Sequence, residues 1–251
     1  MLKIENLTKI YGDGTRALNN VSLEVPDGQF VSIIGLSGSG KSTLMRCINR
    51  LIEPTSGKVF LDDIEVTAAA PQELRLIRSR IGMIFQHFNL VNRSTVLTNV
   101  LTGRLGYTSS QASLFHKFSD QDYADARANL ARVGLVEKES QRADTLSGGQ
   151  QQRVGIARTL MQRPELILAD EPVASLDPAT AHSVLNHLEQ MNKEGMTILC
   201  NLHFLSLARR YSHRVIAIKA GEIVFDGLPE EIDELRFKEI YGEEAVQVEI
   251  A

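Results

Sequence analysis

Apolar positions follow two different periods along the chain and divide it into segments. Leu2, Ile4 and Leu7, then Val21, Leu23 and Val25, alternate with polar residues, the pattern of half-buried antiparallel strands. Pro26-Asp27-Gly28 predicts a turn, after which Phe30–Ile34 is almost wholly apolar. Similar short runs recur at Ile81–Phe85, 166–169, 197–200 and 215–218. A strand that is apolar on both faces must be covered on both, so these runs predict a parallel sheet flanked by helices. Lys219-Ala220-Gly221 leading into Ile223-Val224-Phe225 predicts a closing hairpin.

The middle of the chain reads differently. From about 87 to 163 no strand-like run occurs, and 123–133 carries helical spacing. This predicts one domain, 1–251, with a core α/β lobe of 1–86 and 164–251 and a helical lobe of 87–163. The tip of that lobe, from Gly103 to Ser110, is expected to be a loop. The last stretch, 228–251, is too short for an added domain and receives no assignment.

Composition narrows the class. Of 251 residues, 43% are hydrophobic and 23% charged, with a net charge of -4, as in an ordinary globular protein. No overall basic field draws the chain to nucleic acid or anionic lipid. Arg75, Arg78 and Arg80 are expected to form a solvated helix face. No apolar run approaches the roughly 20 residues that span a bilayer. The N-terminal residues lack the order of a signal peptide. Cys47 and Cys200 lie in apolar stretches and are expected to be buried, reduced thiols. The expectation is a cytoplasmic protein that a partner would hold at any membrane it serves.

Chemistry enters at Gly35-Leu36-Ser37-Gly38-Ser39-Gly40-Lys41-Ser42, between the run Phe30–Ile34 and a predicted helix at 43–51. Glycines let the backbone curl until several N–H groups face one anion, and the helix N-terminus adds positive potential. In such a phosphate loop Lys41 reaches the terminal phosphates and the Ser42 hydroxyl ligates Mg²⁺. The run at 166–169 then delivers Asp170 and Glu171 at a strand end, where ligands sit in open α/β sheets. Asp170 suits the Mg²⁺ side, through water, and Glu171 suits a general base for the attacking water.

Leu146-Ser147-Gly148-Gly149-Gln150 places Ser147 and Gln150 at capping-box spacing ahead of a helical stretch, 151–160. A helix start with two glycines and a hydroxyl is also an anion site. One nucleotide hardly needs two such sites from one chain, which points to each site gripping ATP together with a partner.

Here the sequence resembles the ATP-binding subunits of ABC transporters over nearly its whole length. Residues 146–150 match that family's signature, continued by Gln151-Gln152-Arg153-Val154-Gly155-Ile156-Ala157-Arg158. The resemblance implies an α/β P-loop NTPase core with a mixed sheet, an N-terminal antiparallel β subdomain and an inserted helical subdomain. It gives Tyr11 the place of the aromatic residue that stacks on adenine, and Thr43 a place among the nucleotide contacts. Gln86 takes that of the glutamine at Mg²⁺ and the attacking water, which also links the core to the helical lobe. Ser175-Leu176-Asp177 matches the loop that crosses to the other subunit, and His203 the histidine at the γ-phosphate. Every catalytic position is filled, implying a competent ATPase. Two copies would close head to tail on ATP and Mg²⁺, drive membrane permease subunits, and serve an extracytoplasmic binding protein from the cytoplasmic face of the cell membrane.

Within the superfamily, three stretches most resemble phosphonate-import ATPases: 99–107, 171–178 and 214–227. Phe204 and Gly155 depart from that pattern without touching the chemistry. The implied cargo is a phosphonate or a reduced phosphorus oxyanion such as phosphite. The subunit never touches cargo, so amino-acid import stays open as an alternative. ABC-type ATPases of DNA repair share the site, but a long coiled coil usually separates their phosphate loop from the signature. Here about a hundred residues without sustained heptads do so. Translation-factor relatives carry two cassettes, and this chain has one.

Overall fold

The computed structural model describes residues 1–107 and 118–243. Strands β1 (Leu2–Ile10) and β2 (Arg16–Val25) pair antiparallel with Leu2 opposite Val25, Ile4 opposite Leu23 and Leu7 opposite Val21. All six of these side chains are buried, so the alternation read in the sequence is the inner face of one sheet. Strands β4 (Ser56–Leu61) and β5 (Ile64–Glu65) complete that sheet in the order β2-β1-β4-β5.

A second sheet runs in the order β10-β9-β3-β8-β7-β6. Strands β3 (Phe30–Ile34), β6 (Ile81–Phe85), β7 (Leu166–Asp170), β8 (Thr197–Asn201) and β9 (Arg214–Lys219) are parallel, and β10 (Glu222–Gly227) returns antiparallel. The continuous apolar runs have a simple cause. Leu166 and Leu168 enter the core shared with the first sheet and Leu44, Met45 and Ile48, whereas Ile167 and Ala169 enter the core on the other side. Successive side chains point to opposite faces, so burial on both faces writes an unbroken hydrophobic run.

Helix α1 (Lys41–Ile48) follows β3, and α2 (Pro71–Arg80) leads into β6. Between 87 and 163 the described residues form no strand. They form α3 (Val96–Leu101), α4 (Asp120–Arg132) and α5 (Gly148–Leu160), packed on one another through Val100, Leu130 and Val154. Helix α6 (Pro178–Lys193) and α7 (Leu205–Tyr211) cover the far side of the second sheet. No helix among the described residues is long and apolar enough to cross a membrane. Cys47 and Cys200 are both fully buried.

Two expectations need correction. Gly103 to Gly106 is not loop but part of a 3-10 helix, Thr102–Gly106, where a Cβ at Gly103 would lie 2.2 Å from the Arg158 carbonyl oxygen. Residues 108–110 of the expected tip lie outside the described residues. Nor do the three arginines form one solvated face: Arg75 is exposed, but Arg78 and Arg80 are half-buried. Arg78 donates to the carbonyls of Asn49 (3.0 Å) and Arg50 (2.6 Å), satisfying acceptors at the end of α1. Arg75 donates to Leu105 O at 2.9 Å, and Arg80 joins Asp62 to Glu165. The tail, which carried no expectation, holds a helix, α8 (Glu234–Tyr241), with Phe237 and Ile240 in the core beneath it.

Candidate functional site

Strand β3 ends at Ile34 and the glycine-rich loop turns directly into α1. A Cβ at Gly35 would lie 2.2 Å from the Ile218 carbonyl oxygen, and one at Gly40 2.3 Å from that of Ala17. Both residues have positive φ, 141° and 112°, so only glycine fits where the loop presses on its neighbours. Leu36, Ser37 and Gly38 are exposed, whereas Ser39 turns inward with its hydroxyl buried and unpartnered. Lys41 Nζ donates to Gly35 O at 2.8 Å and Leu36 O at 2.9 Å, lying along the loop it follows. Burial holds its pKa below the ordinary lysine value, against the raising influence of Glu171 and Asp170. Tyr11 stands half-exposed at the edge of this loop, with Oη 3.2 Å from Thr43 Oγ1.

Strand order brings the other groups alongside. Asp170, 3% exposed at the end of β7, accepts from Ser42 Oγ at 2.6 Å. It also accepts from Asn201 Nδ2 at 2.7 Å, and Arg46 Nη2 lies 3.4 Å from its second oxygen. Glu171 follows with φ 53°, a left-handed conformation that costs a non-glycine residue about 1–3 kcal/mol and turns the chain sharply off the strand. Its Oε1 lies 2.9 Å from Nε2 of His203, which follows β8. Gln86, half-buried, comes one residue after Phe85, which pairs with Asp170 in the β6–β7 register. Ser42, His203, Asp170, Glu171 and Gln86 therefore gather at the C-terminal ends of four neighbouring strands. A cleft of about 640 Å³ lined by Asp27, Asp125, Arg132, Arg163 and Thr197 lies at the opposite ends of the same strands.

The signature segment is built as a helix start. Ser147 caps α5: its Oγ accepts from Gln150 N–H at 3.4 Å while Gln150 Oε1 accepts from Ser147 N–H at 3.1 Å. A Cβ at Gly149 would meet Thr180 Cγ2 at 2.2 Å, whereas Gly148 has its nearest neighbours, Leu176 and Phe88, at 3.6 Å. Asp177 caps α6 by accepting from Thr180 N–H at 3.0 Å, and the Thr180 hydroxyl, with that N–H, holds its carboxyl below the usual range. Among the described residues, no hydrogen bond or ion pair joins Ser147, Gln150 or Asp177 to residues 35–43.

Three residues of the site escaped the sequence reading, and a fourth, Gln152, was read only as part of the signature's continuation. Asn201 and Arg46 hold Asp170. Thr180 sets the fit of Gly149. Gln152, fully buried, donates to Pro172 O at 2.8 Å and ties α5 to the turn after Glu171. Only Asn201 left a readable trace, as an amide closing an otherwise apolar run.

Residues 18–174 match the protein family described as ABC transporter. A phosphonates import ATP-binding protein of Bdellovibrio bacteriovorus is 56% identical over 250 residues, covering 99% of this chain and 96% of that one. A protein of the same name in Bacillus thuringiensis subsp. konkukian is 51% identical over 251 residues, covering 100% and 98%. Among solved structures, a dimeric ATP-binding cassette in a post-hydrolysis state bound to ADP and Pi has a TM-score of 0.81 at 37% identity, covering 91% of this chain and 99% of that one. An ATP-binding cassette of an ABC transporter in its ADP conformation has a TM-score of 0.83 at 32% identity, covering 96% of each. With a phosphate loop, paired carboxylates and a capped signature helix on that fold, the chain belongs to the ABC transporter family, as one of its ATP-binding ATPase cassettes.

Proposed function

We propose that this cassette hydrolyses Mg²⁺-ATP between two copies of itself and so drives permease subunits that import a phosphonate or a reduced phosphorus oxyanion such as phosphite. The observation that carries the hydrolytic reading is the convergence of Ser42, Asp170, Glu171 and His203 on adjacent strand ends beside the phosphate loop. The cargo rests on the names of relatives about half identical over the full chain.

The donors present fit magnesium. Ser42 and Asp170 offer hard oxygens 2.6 Å apart, and no cluster of three metal-ligating side chains occurs among the described residues. Mg²⁺ suits such a site because it retains waters and takes its other ligands from phosphates. When bound, it neutralises charge on the phosphate oxygens. The chain supplies the rest. Lys41 and the loop N–H groups of 35–43 hold the phosphates, and Tyr11 stacks on adenine. Glu171 accepts the proton of the attacking water, Gln86 orients that water, and His203 steadies the γ-phosphate and the Glu171 carboxylate. Ser147, Gly148, Gly149, Gln150 and Asp177 act on the nucleotide of the partner copy, a reading supported by the likeness to a dimeric cassette. Hydrolysis removes the γ-phosphate that both surfaces share and lets them part. ATP then works as a ligand that favours the closed pair over the open one. The stretch 87–163 would move as a lobe and pass this change to permeases, with the cassette on the cytoplasmic face of the membrane and an extracytoplasmic binding protein delivering the cargo.

The experiment is ATPase activity of the cassette with candidate permeases in vesicles, each with a binding protein loaded or empty. Stimulation by a phosphonate- or phosphite-loaded binding protein is expected. Stimulation by an amino-acid-loaded one alone would replace the cargo. Stimulation by neither, with basal activity intact, would leave the ATPase and remove the cargo assignment.

A further inference from the structure

The tail helix α8 ends against the catalytic groups. Tyr241, its last residue, directs its hydroxyl to the His203 carbonyl oxygen at 3.4 Å. The hydroxyl oxygen also faces the peptide N–H of Gly35, the first residue of the phosphate loop. Burial pushes the hydroxyl up to about 12, against the pull of that N–H, so it keeps its proton and remains a donor at neutral pH. The ring is held too. It stacks on Phe237 with centroids 4.7 Å apart at 33°, while Phe237 and Ile240 sink into the core that also contains Leu202 and Leu205. Lys219 Nζ, on the hairpin beside the loop, donates to the Glu239 carbonyl.

His203 needs such support. It lies between β8 and α7, in neither a strand nor a helix. The last ladder bond before it runs from Leu202 N–H to Ile33 O at 3.0 Å, and the first helical bond after it runs from Ala208 to Phe204. Its imidazole must nevertheless stay in reach of Glu171, and a catalytic group works only when held within about half an ångström of its place. We propose that Tyr241 is a positioning residue for His203, its hydroxyl donating to the histidine carbonyl beside the start of the phosphate loop, so that docking of α8 sets where the histidine backbone sits. This rests on the catalytic reading of His203 given above.

The test compares Tyr241→Phe, His203→Ala and the double variant of the full chain in steady-state ATPase assays, alongside thermal unfolding. Tyr241→Phe keeps the ring and its stack on Phe237. It is expected to lower kcat about tenfold, with KM for ATP within about twofold and Tm within about 2 °C. In the His203→Ala background the same change should cost nothing further, because the group it positions is gone. Wild-type kcat in Tyr241→Phe, or an equal fractional loss with and without His203, would overturn the proposal while leaving His203 catalytic. Wild-type turnover in His203→Ala would instead remove the catalytic reading of the histidine, and the proposal with it.

Discussion

Glu171 and His203 follow neighbouring strands and meet at 2.9 Å between carboxylate and imidazole, with Glu171 turned off its strand at φ 53°. The strained turn and the histidine together fix where the carboxylate points. Replacing Glu171 by Gln keeps the shape and removes the base. Turnover should fall about 10²- to 10⁴-fold, while ATP affinity stays. With ATP trapped between two copies, size-exclusion chromatography should show a dimer. A monomer at saturating ATP would contradict the shared site.

Lys41 is nearly buried and its ammonium already has two loop carbonyls as partners. Lys41→Ala removes the charge and leaves the loop backbone. Nucleotide affinity should drop at least about tenfold, measured by titration with a fluorescent ATP analogue. Unchanged affinity would take Lys41 out of the phosphate site.

Gly149 faces Thr180 across the α5–α6 contact, with Cγ2 2.2 Å from where a Cβ would stand. Gly149→Ala should therefore lower stability by about 1–3 kcal/mol, read from chemical denaturation. The next atom, Thr180 Cβ, is at 3.5 Å. Adding Thr180→Ser deletes the clashing methyl and keeps the hydroxyl, so the double variant should recover most of the loss. If the second change recovers nothing, the clash lies elsewhere.

Asp62 joins the two sheets. The hydrogen bond from the Met1 ammonium holds its carboxyl below the usual range despite some burial, and Arg80, which also binds Glu165, adds to this. A depressed folded-state pKa means that the unfolded chain takes up the proton first as pH falls. The contribution is whole above about pH 4 and disappears as pH drops through the folded value. Asp62→Asn should lower Tm at pH 7 by about 1–3 °C, since the group is partly exposed. Wild type and variant should converge at the acid end of a pH series. A gap that persists unchanged would show that charge is not what Asp62 supplies.

The parts of this molecule legible in its sequence are those that repeat a local pattern. Two-faced burial of Leu166 to Ala169 could be read because every residue of the run is apolar. Strand β4, Ser56–Leu61, could not, because its apolar part is only Val59-Phe60-Leu61, preceded by Ser56, Gly57 and Lys58, and only Val59 and Leu61 are buried. Helix α2 was read only through its arginine face, because it buries just Ile77 and Ser79 and leaves no apolar stripe to give its bounds. The site divides along the same line. Residues 35–42, 146–150 and Asp170 with Glu171 announce themselves through spacing, since their chemistry needs them close in the chain. Asn201 on Asp170, Thr180 against Gly149 and Tyr241 on the His203 carbonyl are pairings across distant elements. No local period encodes them, because the requirement is one contact made after folding.

One feature of the capped helix bears on how fast such a machine can cycle. Ser147 and Gln150 already satisfy one another, and Lys41 already rests on Gly35 and Leu36. On the proposed function, a phosphate arriving at either place would displace a partner instead of meeting a bare donor, and the net gain per exchanged hydrogen bond would be small, about 0.5–1.5 kcal/mol. The same exchange runs backwards at no greater loss. When the γ-phosphate leaves, Ser147, Gln150 and Lys41 can return to contacts they hold within their own chain, so the departing product is not restrained by groups with nowhere else to go. Self-capping thus trades grip for turnover, and it favours release in a protein whose task is to let go repeatedly.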